Sequence, residues 1–284
     1  MAEVRRAAVL GSPIAHSLSP ALHRAAYREL DLPWRYDAVE VTAAGLAGFL
    51  AGCGPDWVGL SLTMPLKAAV LPLLAERSSS VVLTGSANTV VWGRDGAGPV
   101  GSNTDVVGMV EAVQGGAGGA LATARTATVL GSGATARSAL AALDALAIRT
   151  ATVVARRAGE TADLRRLAEA VGVSLRVLPW DRAGEALGSD LVVSTVPAGV
   201  ADDLAAVVDG DAADGAPRPV RLGVLLDVVY DPWPSALVAA WRRRGAVVVP
   251  GQEMLLHQAA HQVELMTGSP APVAAMRAAL PQVA

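Results

Sequence analysis

The sequence predicts an α/β protein of two domains, the second of which is Rossmann-like. Three observations lead to this prediction. The chain has 284 residues, which exceeds one typical domain of about 100–200 residues. Short apolar runs alternate with helical patterns along most of the chain, as is typical of sheets covered by helices. A glycine-rich turn after one of these runs matches the phosphate-binding loop of dinucleotide-binding domains.

Composition and charge exclude several classes of protein. The net charge is −3, so we expect neither a nucleic-acid nor a membrane-surface partner. No uncharged apolar stretch reaches the roughly 18 residues of a membrane span, and the N-terminal apolar run indicates a strand rather than a signal peptide. The only cysteine, Cys53, permits no intrachain disulfide and no cysteine-rich metal site, which fits a reducing cytoplasm.

In the first half of the chain, strands and helices are predicted in alternation. The predicted strands lie at residues 5–10, 34–39, 57–61, 87–92 and 99–101, and the predicted helices at residues 19–30, 43–51, from 65 onward, and at 106–113. Ser19 is predicted to cap the first helix, with Pro20 at its first position. The glycine-rich residues 115–119 are a candidate junction between the domains.

The second half alternates more regularly. The predicted strands lie at residues 125–130, 150–155, 174–177, 191–194, 222–228 and 247–249, and the predicted helices at residues 134–147, 162–170, 252–266 and 270–280. Nearly continuous apolar strands predict a parallel sheet with helices on both faces. Residues 209–219 are predicted to form an exposed loop. We assign residues 1–107 and 252–284 to a first, substrate-binding domain and 108–251 to a second, with the active site in the cleft between them.

The glycine-rich turn carries the clearest binding signal. It consists of Gly131, Ser132, Gly133, Ala134, Thr135 and Ala136, which fit the G-x-G-x-x-G/A pattern between an apolar strand and a helix. Gly131 permits the tight turn, Gly133 lets the backbone approach a pyrophosphate, and Ala136 keeps the helix close to the strand. The helix N-terminus would then bind the phosphates through its unpaired N–H groups and its dipole.

The choice between NAD and NADP depends on the end of the next strand, about 20 residues further on. An acidic residue there would bind the ribose 2′-hydroxyl of NAD. The chain has Arg156 and Arg157 instead, and guanidinium groups suit bidentate recognition of phosphate. We therefore predict NADP as the cofactor, with Arg156 as the main contact. Glu160 is the nearby residue that would weaken this interpretation.

Polar residues also collect where the strands of the first half end, which is where open α/β sheets usually place their functional groups. They are Ser17, Ser19, Ser61, Thr63, Lys67, Asn88, Thr89, Asn103, Thr104 and Asp105. These hydroxyls and amides, together with one Lys–Asp pair, suit a small polyhydroxylated acid as substrate.

These segments resemble the shikimate dehydrogenase family over essentially the whole chain. The matching motifs are S-x-S at 17–19, N-V-T-x-P-x-K at 61–67, A-N-T at 87–89, N-T-D at 103–105, G-x-G-G-x-x-R at 131–137, N-R-T at 155–157, Y-x-P at 230–232 and G-x-x-M-L-x-x-Q at 251–258. The chain departs from the family pattern by having Ser61 for asparagine, Ala134 for glycine, and Ala155 and Arg157 for a polar pair.

The resemblance implies NADP-dependent interconversion of 3-dehydroshikimate and shikimate, within the biosynthesis of aromatic amino acids. It assigns proton transfer to Lys67 and Asp105, without deciding which is the formal acid–base group. It also implies that Ser17 and Ser19 bind the substrate carboxylate. The remaining implied contacts are Thr63, Asn88, Asp105 and Gln258 to ring hydroxyls, Tyr230 to the substrate, and Gly251 to the cofactor.

The sequence leaves the exact activity and the oligomeric state open. A quinate/shikimate or aminoshikimate dehydrogenase would have the same fold, and a catalytically silent NADP-binding regulator is the alternative from another class. A homodimer is possible. His257 and His261 stand four residues apart, as in helical metal sites, but no third ligand is evident, so we expect no metal.

Overall fold

The computed structural model describes residues 4–92, 98–157, 159, 161–210 and 221–282. The strands are β1 Arg6–Gly11, β2 Arg35–Glu40, β3 Trp57–Leu62, β4 Glu76–Arg77, β5 Thr89–Trp92, β6 Pro99–Ser102, β7 Thr126–Leu130, β8 Thr150–Ala155, β9 Ser174–Pro179, β10 Leu191–Ser194, β11 Val224–Asp227 and β12 Val248–Pro250. The α-helices are α1 Ser19–Glu29, α2 Leu46–Ala51, α3 Leu66–Ala69, α4 Ser79–Thr84, α5 Asp105–Gly116, α6 Ala134–Ala145, α7 Ala162–Ala170, α8 Asp203–Asp209, α9 Ala236–Arg243, α10 Gly251–Thr267 and α11 Val273–Ala278.

The chain divides into two compact units. Unit 1 comprises Met1–Gly108 and Leu255–Gln282, and unit 2 comprises Met109–Met254. Both divisions fall inside helices, the first within α5 and the second within α10. Unit 1 is therefore discontinuous in sequence, because the C-terminal helices return to the N-terminal segment.

Unit 1 is built on a mixed sheet with the strand order β2-β1-β3-β5-β6-β4. The pairs β1–β2 and β1–β3 are parallel, whereas β5 runs antiparallel to both β3 and β6. Ala7 and Val9 belong to one apolar cluster, and Ala8 and Leu10 belong to another. Because successive residues of a strand point to opposite faces, both faces of β1 are covered, which explains its unbroken apolar run.

Unit 2 contains the parallel sheet that the sequence predicts. Its strand order is β12-β11-β10-β7-β8-β9, and every neighbouring pair is parallel. The chain starts in the middle at β7, adds β8 and β9 on one side, and then places β10 on the other side of β7. This reversal creates a switch point beside the carboxyl end of β7, where open α/β sheets bind their ligands.

The structure corrects several predicted boundaries. Helix α1 already includes Ser19, its N-cap residue is Leu18, and no side chain caps it, so the prediction of Ser19 as the cap was wrong. Helix α5 runs through the first two glycines of residues 115–119, which lie in unit 2. The apolar pattern does not indicate β4, α4, α8 or α9. Most of the loop predicted at 209–219 lies outside the described residues.

Candidate active site

Lys67 and Asp105 form a close ion pair in unit 1. The Lys67 Nζ atom lies 2.6 Å from Asp105 Oδ2, and the side chains are 14% and 5% exposed. Lys67 is in α3, directly after β3, and Asp105 is the first residue of α5, where a carboxylate interacts favourably with the helix dipole. Removal of either partner would leave the other charge poorly solvated, which costs several kcal/mol in buried pairs.

The second carboxylate oxygen of Asp105 is also occupied. Asn88 Nδ2 donates to Asp105 Oδ1 at 2.7 Å, and the Asp105 backbone N–H donates to Asn103 Oδ1 at 3.1 Å. Asp105 is therefore arranged as an acceptor that holds the Lys67 ammonium in place.

Gln258 reaches the same group of residues from helix α10. Asn88 Nδ2 lies 3.2 Å from Gln258 Oε1 and 2.9 Å from Thr104 Oγ1. An amide has two N–H donors, so Asn88 faces more acceptors than it can serve at once. Gln258, at the longest of these distances, is the partner that a ligand hydroxyl would displace most easily.

Ser17 and Ser19 lie together at the start of α1, as their spacing predicts. The Ser19 backbone N–H donates to Ser17 Oγ at 3.3 Å, and Ser19 is buried. Thr63 follows β3 and lies against β1, because a Cβ atom added at Gly11 would stand 2.3 Å from Thr63 Cγ2. Glycine at position 11 is therefore needed for Thr63 to occupy its place.

A buried polar network behind this group was not predicted from the sequence. The Tyr36 hydroxyl donates to Ser61 Oγ at 2.6 Å, and Ser61 Oγ donates to Gln262 Oε1 at 2.7 Å. The ring of His23 stacks on Tyr36 at 3.9 Å between centroids, and its Nε2 lies 3.3 Å from the same Gln262 oxygen. One signal was available, since Gln262 follows Gln258 by four residues and so shares its helix face.

Burial changes the titration of two members of this network. Desolvation lowers the pKa of His23 to about 3, although the hydrogen bond to Gln262 opposes the shift. Desolvation also raises the pKa of Tyr36 well above its ordinary value, against the effect of hydrogen bonds with Ser61 and Ser19. Both groups are therefore neutral at physiological pH and act only through hydrogen bonds.

The glycine loop of unit 2 joins β7 to α6 through a positive-φ glycine and a helix start without a side-chain cap. Gly131 has φ +111°, and a Cβ added there would stand 2.6 Å from Thr195 Oγ1, so a side chain is excluded. Gly133 is the N-cap residue of α6 and no side chain caps this helix, while a Cβ at Gly133 would meet nothing within 4 Å. Ser132, Ala134 and Thr135 complete the turn and the first residues of α6.

Arg156 and Arg157 form a turn directly after β8, and both are exposed. The backbone N–H of Gly131 donates to the carbonyl of Val154 in β8 at 2.8 Å, which ties the glycine loop to the strand that leads to Arg156. Glu160 lies outside the described residues.

Tyr230 and Gly251 belong to unit 2 and not to the group around Lys67. Burial raises the pKa of Tyr230, and the neighbouring Asp231 carboxylate adds to the shift. Gly251 begins α10, where an added Cβ would stand 2.6 Å from the Asp227 carbonyl oxygen. The structure thus gives Gly251 a packing role at the junction of β12 and α10.

Across the described ranges, no helix is both long and apolar enough to cross a membrane. The same residues contain no group of three His, Cys, Asp or Glu side chains placed to hold a metal ion. His261 Nδ1 lies 3.4 Å from Glu264 Oε2, and both His257 and His261 are partly exposed on α10.

Comparison with known proteins connects these features to one family. Residues 9–90 match the shikimate dehydrogenase substrate binding domain, and residues 251–280 match the shikimate 5′-dehydrogenase C-terminal domain. A curated shikimate dehydrogenase (NADP(+)) from Synechocystis sp. is 32% identical, and the alignment covers 96% of this chain and 93% of the relative. The chain belongs to the shikimate dehydrogenase family.

Solved structures of family members extend the likeness to the whole fold. The Mycobacterium tuberculosis shikimate dehydrogenase superposes with a TM-score of 0.84 at 44% identity, covering 97% of this chain and 98% of that one. The Thermus thermophilus enzyme in complex with NADP(H) and shikimate superposes with a TM-score of 0.78 at 31% identity, covering 97% and 100%. The fold class and the family predicted from the sequence are therefore confirmed.

Proposed function

We propose that this protein is an NADP-dependent oxidoreductase that reversibly reduces 3-dehydroshikimate to shikimate, a step in the biosynthesis of aromatic amino acids. The observation that carries the proposal is the pair of Lys67 and Asp105, which are 2.6 Å apart and largely buried. The family gives further support, because relatives of this chain are named shikimate dehydrogenase (NADP(+)). Unit 1 would bind the substrate and unit 2 the cofactor.

The identity of the basic residue supports acid–base chemistry at this position. Lys67 is the only lysine of the chain, and all other members of the 23 basic residues are arginines. An arginine keeps its proton at any physiological pH, whereas a lysine ammonium can release one. The single place where the chain uses lysine is thus the place where the reaction requires a proton donor.

The residues of unit 2 fit a dinucleotide phosphate. Gly131 lies close to Thr195, so the loop turns tightly there, whereas the space around Gly133 is open. A pyrophosphate would fit in this open space beside the N-terminus of α6. Arg156 would contact the 2′-phosphate, and Ser132, Ala134, Thr135 and Gly251 would line the same site. When bound, NADPH supplies the hydride that reduces the ketone.

The residues of unit 1 would orient the substrate and move the proton. Ser17 and Ser19 would bind the carboxylate, and Thr63, Asn88 and Gln258 would recognise ring hydroxyls, with Tyr230 as a further substrate contact. Lys67 would stabilise the negative charge that develops on the carbonyl oxygen and transfer its proton there, which completes the alcohol. Asp105 holds the ammonium in position, and the pair accepts the proton in the reverse direction.

We also expect the protein to act in the cytoplasm and to bind small molecules rather than nucleic acid or a membrane. Its single cysteine, Cys53, is compatible with a reducing compartment. A homodimer stays a prediction, which sedimentation of the purified protein would check.

The direct test measures oxidation of NADPH by the purified protein in the presence of 3-dehydroshikimate. Parallel reactions replace NADPH by NADH and 3-dehydroshikimate by dehydroquinate. Turnover with NADPH and 3-dehydroshikimate supports the proposal, and faster turnover of dehydroquinate indicates a quinate dehydrogenase instead. If NADPH binds but no substrate pair turns over, the protein is a regulator and the enzymatic proposal is wrong.

A further inference from the structure

A series of hydrogen bonds leads from Gln262 to Asp105, and two backbone groups determine which side-chain atoms donate and which accept in it. The backbone N–H of Thr104 donates to Asn88 Oδ1 at 2.9 Å, and the backbone carbonyl of Asn88 accepts from Gln262 Nε2 at 3.2 Å. A backbone amide only donates and a backbone carbonyl only accepts. The orientation of both side-chain amides, Asn88 and Gln262, therefore follows from main-chain groups.

The direction of the next links follows from these two. Gln262 Nε2 also donates a hydrogen bond to Thr89 Oγ1 at 3.0 Å. Because this oxygen already accepts from Gln262, the Thr89 hydroxyl donates its own hydrogen bond to Asn88 Oδ1, at 2.8 Å. With its oxygen occupied as an acceptor, Asn88 presents its amino group to Asp105 Oδ1 at 2.7 Å. Together with the Thr104 N–H, the links from Gln262 through Thr89 to Asn88 thus keep the amino group of Asn88 turned toward Asp105.

The oxygen of the Gln262 side-chain amide is hydrogen-bonded as well. Its Oε1 accepts from Ser61, which in turn accepts from Tyr36, and neutral His23 approaches the same oxygen. The exposed fraction of every residue in this network is 4% or less. Because water does not reach these atoms, a lost link would stay unsatisfied.

We infer that Thr89 and Gln262 are positioning residues, which together with the Thr104 N–H hold Asn88 in its orientation and thereby keep Asp105 and Lys67 in their reactive arrangement. The inference rests on the proposed function and adds two residues to it. Loss of one buried hydrogen bond of this kind corresponds to about a tenfold fall in rate when the geometry is needed in the transition state.

Two substitutions of Thr89 separate the hydroxyl from the packing of its methyl group. Thr89→Ser keeps the hydroxyl and loses the methyl group, and Thr89→Val keeps the shape and loses the hydroxyl. We expect kcat of Thr89→Ser to stay within about threefold of wild type and that of Thr89→Val to fall about tenfold or more. Wild-type kcat in Thr89→Val, or equal losses in both variants, would overturn the inference.

Two further variants test whether the effect runs through the hydrogen bonds. Gln262→Glu removes the N–H donor that faces Thr89. The double variant Thr89→Val with Gln262→Glu should lose little more kcat than either single variant, because both substitutions break the same series of hydrogen bonds. Fully additive losses would contradict this. Thr128→Val is the matched control, since Thr128 is a buried threonine of unit 2 that donates to the Ala186 carbonyl, and its kcat should be unchanged.

A readout without turnover separates this inference from the proposed function. Because Lys67 is the only lysine, acetic anhydride modifies a single side-chain amine, which mass spectrometry quantifies. We expect faster acetylation of Lys67 in Thr89→Val than in wild type or Thr89→Ser, because its partner Asp105 is held less firmly. Equal rates in all three would overturn the inference, and a wild type that acetylates as expected but turns over no substrate would reject only the function.

Discussion

The two candidate sites of this protein differ in the groups that form them: buried polar side chains in unit 1 and glycine backbone in unit 2. In unit 1, side chains that are almost fully buried, such as Asn88, Asp105 and Gln262, hold one another by hydrogen bonds. In unit 2, the glycine loop offers backbone with open space above Gly133 and a steric limit at Gly131. The first site therefore depends on which polar atom each side chain presents, and the second on where a side chain is absent.

This difference predicts different consequences of mutation. A conservative substitution in unit 1 keeps the shape but changes a donor or a charge, so it should impair the reaction more than the fold. A substitution in the glycine loop adds atoms, so its effect should depend on the space around each glycine.

Replacing Lys67 by arginine tests whether unit 1 needs a proton or only a positive charge. Lys67→Arg keeps the charge beside Asp105 but cannot release a proton, so we expect kcat to fall by about 10²–10⁴-fold, the usual range for a lost general acid. Steady-state kinetics measures the effect. NADPH binding should be unchanged, because it is assigned to unit 2. A variant within about threefold of wild type would show that charge alone suffices.

The loop glycines give a matched pair in unit 2. Gly131→Ala places a Cβ 2.6 Å from Thr195 Oγ1 at φ +111°, which should reduce the free energy of unfolding by about 1–3 kcal/mol. Gly133→Ala meets no neighbour and should leave stability within about 0.5 kcal/mol. Chemical denaturation measures both. NADPH affinity should fall in both variants, and equal stability of the two would refute the steric argument.

The two arginines after β8 test the recognition of the 2′-phosphate. Arg156→Ala should weaken NADPH binding by about 10–100-fold, which corresponds to the loss of a charge-assisted hydrogen-bond pair. Binding of NADH should change little, because NADH lacks the 2′-phosphate. Titration of each variant with both cofactors measures the preference. A larger loss in Arg157→Ala than in Arg156→Ala would transfer the role to Arg157.

His23 makes the stability of unit 1 sensitive to acid. Its pKa falls from 6.5 to about 3 on folding, so below pH 6.5 the unfolded chain binds a proton that the folded chain does not. Stability from this residue is therefore complete above about pH 6.5 and is lost as the pH falls toward 3, by roughly 1 kcal/mol at pH 5.5.

The check compares wild type with His23→Gln by urea denaturation near neutral pH and at about pH 5.5. The variant lacks the titrating group, so its loss of stability on acidification should be smaller by that amount. Equal losses in the two proteins would show that His23 is not the responsible residue.

Much of the fold and of the site could be predicted because the signals are local in sequence. The glycine loop between β7 and α6 and the strands of unit 2 follow from patterns a few residues long. Helices α8 and α9 were not predicted, although Ser235 caps α9 by accepting from the Val238 N–H. A serine cap is thus a local signal for α9, whereas α1 begins at Ser19 itself, with Leu18 as its N-cap residue, against the capping preference of serine.

The sequence by itself determined the α/β class, the parallel sheet, the family, and the residue types available for catalysis, because each depends on periodicity or on a short motif. Only the tertiary structure decided how those residues are connected. The contact between His23 and Gln262 joins residues 239 positions apart, and the orientation of the Asn88 side chain depends on the main-chain N–H of Thr104 in a separate segment. Burial in the folded unit also sets the charge state of His23, since desolvation exists only where the surrounding chain excludes water.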